Sequence, residues 1–186
     1  MTPIRLKGTS FHGVLGAVER RFGEAERERL LDHIAEPTRT MLRTGEILTG
    51  GWYDVGHYDA LLAGVEAAFP GVPGLIRRLS HDAITRDFAT LFRVVRLVLS
   101  PESALSNATK VMARYVQGGS LRVVSSTEGQ MHFRFDEFHG YTARMWDDFL
   151  GGMEAVLDLM GVKRTAAKVL VGGDGPTFEV ILRYAR

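Results

Sequence analysis

The spacing of the apolar residues changes once along this chain, and that change constrains the fold more than any other feature. In the first part they recur every three or four positions, as at Phe11, Val14 and Val18. Later they alternate with other residues, as at Met131 and Phe133. A period of 3.6 is typical of helices and a period of 2 of strands. The chain therefore predicts an α+β fold.

The order of the later elements predicts a hairpin, a helix over about 141–160, and a second hairpin. Such elements most simply form a four-stranded antiparallel sheet with one helix on one face. We expect a single domain over residues 1–186. Its helical part would span about 8–118 and its sheet-plus-helix part about 119–186.

Three features of the helical part lead to specific expectations. Ser10 is expected to cap the first helix, and Ser80 to interrupt a long helix over about 75–99. A further helix is expected to end near Gln117. Glycine, threonine and proline are frequent in 37–56 and interrupt any helix there, so that a loop or an ordered lid is expected.

The composition excludes several classes of protein. The 186 residues include 23 basic and 22 acidic side chains, for a net charge of +1, and no cysteine. General attraction to nucleic acids or anionic membranes is therefore not expected, nor are disulfides or thiolate metal sites. The chain lacks the apolar run of a signal peptide or membrane span. We expect a cytoplasmic protein with no nucleic-acid or membrane partner.

Gly8-Thr9-Ser10-Phe11, the segment 52–62 and the last 70 residues resemble a paralogous family of myxobacterial domains of unknown function. The element order and the segment 52–69 are also distantly similar to haem nitric-oxide/oxygen-binding domains and to vinyl-reductase-type small-molecule-binding domains. Those domains combine a helical N-terminal part with a C-terminal antiparallel sheet that carries a helix. The resemblance implies the same architecture and a signalling or sensor role with an internal pocket.

The sequence departs from the haem-binding domains at two places. Those proteins carry a proximal histidine on the helix before the first hairpin, whereas the corresponding segment here, 106–115, has none. Their Tyr-x-Ser-x-Arg motif is also not evident. The sequence therefore predicts that the chain has no cofactor and binds no haem in their manner.

The helix over about 141–160 is rich in methionine and aromatic residues, which suit either a packed core or an apolar pocket. A pocket between this helix, the sheet and the helix containing residues 88–95 would bind a small apolar ligand. Its expected lining is Phe88, Phe92, Trp146, Phe149 and Met153.

Metal-binding or catalytic groups are sparse. Asp54, His57 and Asp59 are of types that bind zinc or iron. A helix beginning near Gly56 would instead make Asp54 its N-cap and direct the other two to different sides. His81 near a helix start is a further isolated candidate. We predict no metal site and no enzymatic activity.

Charge along the helices suggests a second function. Arg86, Arg93 and Arg96 share one helix side, whereas the charged residues of 136–160 are acidic except for Arg144. The two surfaces could meet within the fold, meet between subunits, or be solvated separately. The sequence thus predicts a non-catalytic sensor of a small apolar ligand or, alternatively, an interaction or dimerisation module that binds a protein partner or a second copy.

Overall fold

The computed structural model describes residues 3–95, 110, 112–162 and 164–185, and of residues 88–95 and 164 it describes the backbone alone. The elements in chain order are β1 (Arg5–Lys7), α1 (Gly8–Phe22), α2 (Glu24–Asp32), α3 (Thr38–Arg43), β2 (Trp52–Asp54), α4 (Val55–Ala68), α5 (Leu75–Val95), β3 (Val116–Gln117), β4 (Ser120–Thr127), β5 (Gln130–Asp136), α6 (Ala143–Leu159), β6 (Arg164–Gly172) and β7 (Phe178–Ala185). No helix within these residues is long and apolar enough to cross a membrane.

The four longer strands form the predicted antiparallel sheet, in the order β4-β5-β7-β6. Alternate residues of the two central strands are buried, and Phe133 pairs with Val180 across them. Helix α6 packs on this buried face, where Trp146 stacks on Phe178 with ring centroids 4.4 Å apart. The α+β architecture predicted from the change of period is therefore confirmed.

A second, small sheet joins three distant parts of the chain in the order β2-β1-β3. Leu6 pairs with Tyr53 on one side and with Val116 on the other. The expectation of a helix up to Gln117 is therefore wrong at its end, because the last two residues pair with β1. The start of that expected helix lies outside the described residues.

Helix α5 runs without interruption from Leu75 to Val95, so the expected break at Ser80 is wrong. Ser80 is buried and its hydroxyl donates a hydrogen bond to Asp148 of α6. The expected cap at Ser10 is also wrong, because α1 already begins at Gly8 and Lys7 is its N-cap residue. Both serines therefore lie inside a helix and not at its start.

Helices α5 and α6 approach closely along their length. A Cβ atom on Gly151 would lie 2.1 Å from the carbonyl oxygen of Arg77, so only glycine allows this contact. Arg77 also donates to both oxygens of Glu154, at 2.8 Å from Nε and 2.6 Å from Nη2. The α5–α6 pair thereby fixes one wall of a cavity between the helices.

Candidate functional site

A cavity of about 460 Å³ lies between α1, α5, α6, Lys110 and the segment 112–116. This volume is within the range of sites that bind small molecules. The wall is mostly apolar, and its apolar side chains include Leu6, Val14, Ile84, Met145, Met153 and Val156. Gly152 of α6 also lines the cavity. A Cβ atom at this position would lie 3.5 Å from Ile84, which is an ordinary van der Waals contact, so the absence of a side chain here leaves additional room in the cavity.

A carboxyl group from α6 lies on the wall of this cavity. Asp148 accepts hydrogen bonds from the hydroxyls of Tyr58 in α4 and Ser80 in α5. Its side chain keeps partial exposure because it lines the cavity, but protein atoms surround it. Burial disfavours the charged form more than the two hydroxyls favour it, and raises the pKa of Asp148 to about 7.

Two buried phenols accompany Asp148. Burial is the largest cause that raises the pKa of Tyr58 and of Tyr141, and the nearby charge of Asp148 raises both further. Both phenols therefore keep their protons at neutral pH. Tyr58 is a hydrogen-bond donor to the carboxyl group, so Asp148, Tyr58 and Ser80 form one polar cluster on the mostly apolar wall.

The other charged lining residues are exposed. Asp87, Lys110 and Arg114 lie on the cavity wall with their side chains open to solvent. Solvent and salt screen such charges, whereas the buried carboxyl group is screened little. The cavity thus has an exposed charged end and a buried end with a single carboxyl group among its described residues.

Asp148 was not predicted as a site residue, because the sequence pattern placed it only among the acidic residues of 136–160. A signal was available in the helical spacing. Asp148 is three residues after Met145 and four before Gly152, which places it on the face of α6 that these two residues share. An acid on an apolar helix face is unusual, since it must be buried with partners.

The five residues predicted to bind a ligand do not all line this cavity in the described part of the chain. Phe149 and Met153 line the cavity. Trp146 lies toward the sheet, where it is fully buried against Phe178 and its indole N–H donates to the carbonyl of Gly175 at 3.1 Å. The side chains of Phe88 and Phe92 lie outside the described part of the chain. The cavity itself borders α1 rather than the four-stranded sheet.

The candidate metal ligands near residue 57 have separate partners. Asp54 caps α4, as predicted, by accepting from the amide of Gly56 at 2.9 Å. His57 lies 2.9 Å from the hydroxyl of Thr38, and Asp59 accepts from Arg144. Across the described residues, no three histidine or carboxylate groups come together as a metal site would require.

His81, the other isolated candidate, also pairs within the fold. Its Nε2 lies 2.8 Å from a carboxylate oxygen of Asp158 in α6. Helix α5 thus contacts acidic residues of α6 through His81 as well as through Arg77. Arg86 is exposed, whereas the side chain of Arg93 and all of Arg96 lie outside the described residues. Their role in an interface stays a prediction.

Comparisons with known proteins identify the architecture. No family model matches the sequence, and no curated protein matches it. An unliganded Fe(II) H-NOX protein from K. algicida is 16% identical and aligns over 97% of both chains with a TM-score of 0.70. An S. oneidensis H-NOX protein in the Fe(II)NO state is 11% identical, covers 97% of this chain and 100% of its own, and has a TM-score of 0.68.

The chain has the H-NOX fold. An oxygen-binding H-NOX domain related to soluble guanylate cyclases, in its oxygen complex, is 13% identical over 97% of this chain and 96% of its own, with a TM-score of 0.64. These likenesses confirm the distant resemblance to the haem nitric-oxide/oxygen-binding domains. They extend over both the helical part and the sheet.

The prediction that the chain has no cofactor is wrong as it was made. The structures that share the H-NOX fold over nearly the whole chain are described as Fe(II), Fe(II)NO and oxygen-bound forms. The absence of histidine from the segment 106–115 was too narrow a basis for that prediction. It concerns one possible ligand of the iron and says nothing about the cavity. An iron-bearing group therefore belongs among the candidate occupants.

The donor groups of the cavity differ from an imidazole site. No histidine is among the described lining residues, and the phenols of Tyr58 and Tyr141 hold their protons. Iron in haem proteins takes imidazole, thiolate, thioether or phenolate ligands. Of these ligand types, the described part of the wall contains the thioethers of Met112, Met145 and Met153, which can bind a metal without losing a proton. Histidine ligation of a haem therefore does not fit this lining.

Proposed function

We propose that this protein is a non-catalytic sensor domain that binds a small, largely apolar ligand in the cavity between α1, α5 and α6. The observation that carries the proposal is a cavity of about 460 Å³ with a mostly apolar wall. Burial of apolar surface would supply the binding free energy, at roughly 25 cal/mol for each Å². The H-NOX fold supports the proposal, since proteins with this fold are described with iron, nitric oxide and oxygen.

Sensing requires that the ligand contact elements whose positions can change together. The cavity contacts α1, Lys110 and the segment 112–116 as well as the α5–α6 pair. Leu6 of the small sheet also lines it, so a ligand would contact both the helical part and α6. A ligand that binds one arrangement of these elements more tightly shifts the population toward it.

A haem is one occupant that the fold implies, and its iron would supply a site for a gas. The thioethers of Met112, Met145 and Met153 are the groups that could approach such an iron, and Lys110 and Arg114 are cations at the exposed end. A visible absorption band in the purified protein that shifts on Met→Leu substitution at one of these methionines would identify this occupant.

The proposal is tested by filling the cavity. Met153 is buried and lines the cavity, so Met153→Trp should occupy much of the space. We expect at least a roughly tenfold loss of affinity for the neutral apolar dye Nile red in a fluorescence titration, because the lost contact area corresponds to more than about 1.4 kcal/mol. Native mass spectrometry of freshly purified protein would show any co-purified ligand as extra mass.

Met160→Trp is the matched control. Met160 lies at the C-terminal end of the same helix and is not among the lining residues. This variant should bind the dye as the unchanged protein does. If Met153→Trp folds, as judged by circular dichroism, and binds Nile red with unchanged affinity, the cavity is not the binding site and the proposal is wrong.

A further inference from the structure

We propose that the ligand of this cavity is an organic cation, an apolar molecule whose ammonium group pairs with the carboxylate of Asp148. This inference rests on the proposed function and names the chemical class of its ligand. It starts from the placement of one acidic side chain on an apolar wall that α4, α5 and α6 enclose.

The carboxyl group of Asp148 has neutral partners. Its hydrogen bonds come from the hydroxyls of Tyr58 and Ser80. Among the residues that the structure describes, no arginine, lysine or histidine forms an ion pair with it. The neighbouring acid Asp147 points elsewhere and lies 3.9 Å from Arg77. A buried carboxylate without a cation is unfavourable, so a ligand that brings a positive charge would complete the site.

The groups that face Asp148 come from three elements. Tyr58 lies on α4, Ser80 on α5, and Tyr141 just before α6. All three carry hydroxyls, and none carries a positive charge. The charged lining residues Asp87, Lys110 and Arg114 are exposed and screened by solvent. The strongest electrostatic preference inside the cavity is therefore for a cation beside Asp148.

Preorganisation favours the pairing further. The carboxyl group is desolvated and oriented by the folded protein before any ligand arrives. A cationic ligand has to lose only its own hydration, whereas formation of an ordinary buried pair requires both groups to be desolvated. The apolar body of the ligand would lie against Val14, Ile84 and Met153, which line the same cavity. A ligand with a carboxylate in the same place would be repelled.

The test compares three probes with one apolar body: phenylbutylamine, phenylbutanol and phenylbutyrate. Affinities are measured by calorimetry on the full chain at a pH of about 8, where Asp148 is mostly ionised. We expect the amine to bind roughly tenfold to a hundredfold more tightly than the alcohol, as a charged hydrogen bond in a buried site provides. The carboxylate should bind more weakly than the alcohol.

Asp148→Asn should remove the preference and leave the amine within about twofold of the alcohol. Asp147→Asn removes the same charge one residue away, outside the cavity, and should leave the preference unchanged. Nile red binding by both variants shows that the cavity persists.

Equal affinities for amine and alcohol, or a preference that survives Asp148→Asn, would overturn the inference. A haem band in the purified protein would overturn it as well, since haem would occupy the same space. In each of these cases the proposed function stands. If neither Nile red nor any of the three probes binds, the proposed function itself is wrong.

Discussion

The surroundings of Asp148 in the folded protein change the acidity of its carboxyl group. Asp148 would be an ordinary ionised surface acid on an isolated helix. Its position between Tyr58 and Ser80 in the fold gives it two hydroxyl donors and removes most of its water. Desolvation is the larger of these effects, so the pKa of this carboxyl group rises from an ordinary value of 3.8 to about 7.

This shift predicts how stability depends on pH. The folded protein holds a proton on Asp148 between about pH 4 and pH 7, where the unfolded chain has released it. The contribution of Asp148 to the free energy of unfolding is therefore fully present below about pH 4 and decreases as the pH rises through about 7. The decrease is up to about 4 kcal/mol, since each pKa unit corresponds to about 1.4 kcal/mol.

Asp148→Asn removes the titrating group and nearly keeps the shape. Urea unfolding at a pH of about 4 and of about 8 measures the free energy of unfolding of both proteins. The variant should gain stability relative to the unchanged protein at the higher pH, by up to about 4 kcal/mol more than at the lower. A difference between the two proteins that is the same at both pH values would show that the pKa of Asp148 is not raised.

At the scale of elements, the contact between α5 and α6 determines the shape of the cavity. Two adjacent glycines of α6 have different surroundings. A Cβ on Gly151 would lie 2.1 Å from the backbone oxygen of Arg77, whereas a Cβ on Gly152 would have its nearest neighbour at 3.5 Å, on Ile84. The first glycine sets how closely the helices approach, and the second leaves space in the cavity.

Substitution of each glycine by alanine separates these roles. Gly151→Ala should lower the free energy of unfolding by about 3 kcal/mol, because the backbone of α5 has to move. That loss corresponds to a decrease of roughly 6–12 °C in Tm for a chain of this length. Thermal unfolding followed by circular dichroism measures it.

Gly152→Ala is the internal control for the same helix and the same added methyl group. It should be neutral or stabilising by up to about 1 kcal/mol, since alanine favours the helix and the contacts are ordinary. If Gly151→Ala and Gly152→Ala lower the free energy of unfolding equally, the close approach of α5 and α6 does not require a residue without a side chain at position 151.

On the scale of the whole molecule, one continuous set of buried residues extends from Ile4 near the start to Tyr184 near the end. It includes Phe11 and Leu61 of the helical part and Phe133 of the sheet. Because this core crosses the boundary near residue 118, we expect the helical part and the sheet to unfold together.

The two tryptophans allow this expectation to be measured. Trp52 lies in the small sheet and Trp146 in the helix that covers the large sheet. Trp52→Phe and Trp146→Phe leave one fluorescent reporter in each part. The two variants should show fluorescence transitions that each coincide with the loss of helical circular dichroism. A reporter that changes well before the dichroism would contradict the single-domain prediction.

The amino-acid sequence was enough to predict the fold class and most of the long elements. Apolar periodicity located α1, α4, α6 and the strands of the large sheet, because each repeats its pattern over seven or more residues. It could not locate β1, β2 or β3, which have two or three residues each and pair with segments far away in the chain. Such short strands have too few residues to show alternation.

The residues that form the site could be identified only from the packing of the folded chain. Spacing along α6 predicted an apolar face but could not show that Trp146 packs on the sheet while Met153 and Phe149 line a cavity. Nor could it show that Ser80 lies beside Asp148 and not at a helix start. These outcomes depend on how α1, α4 and α5 pack around α6, and packing between distant elements leaves no periodic pattern in either partner.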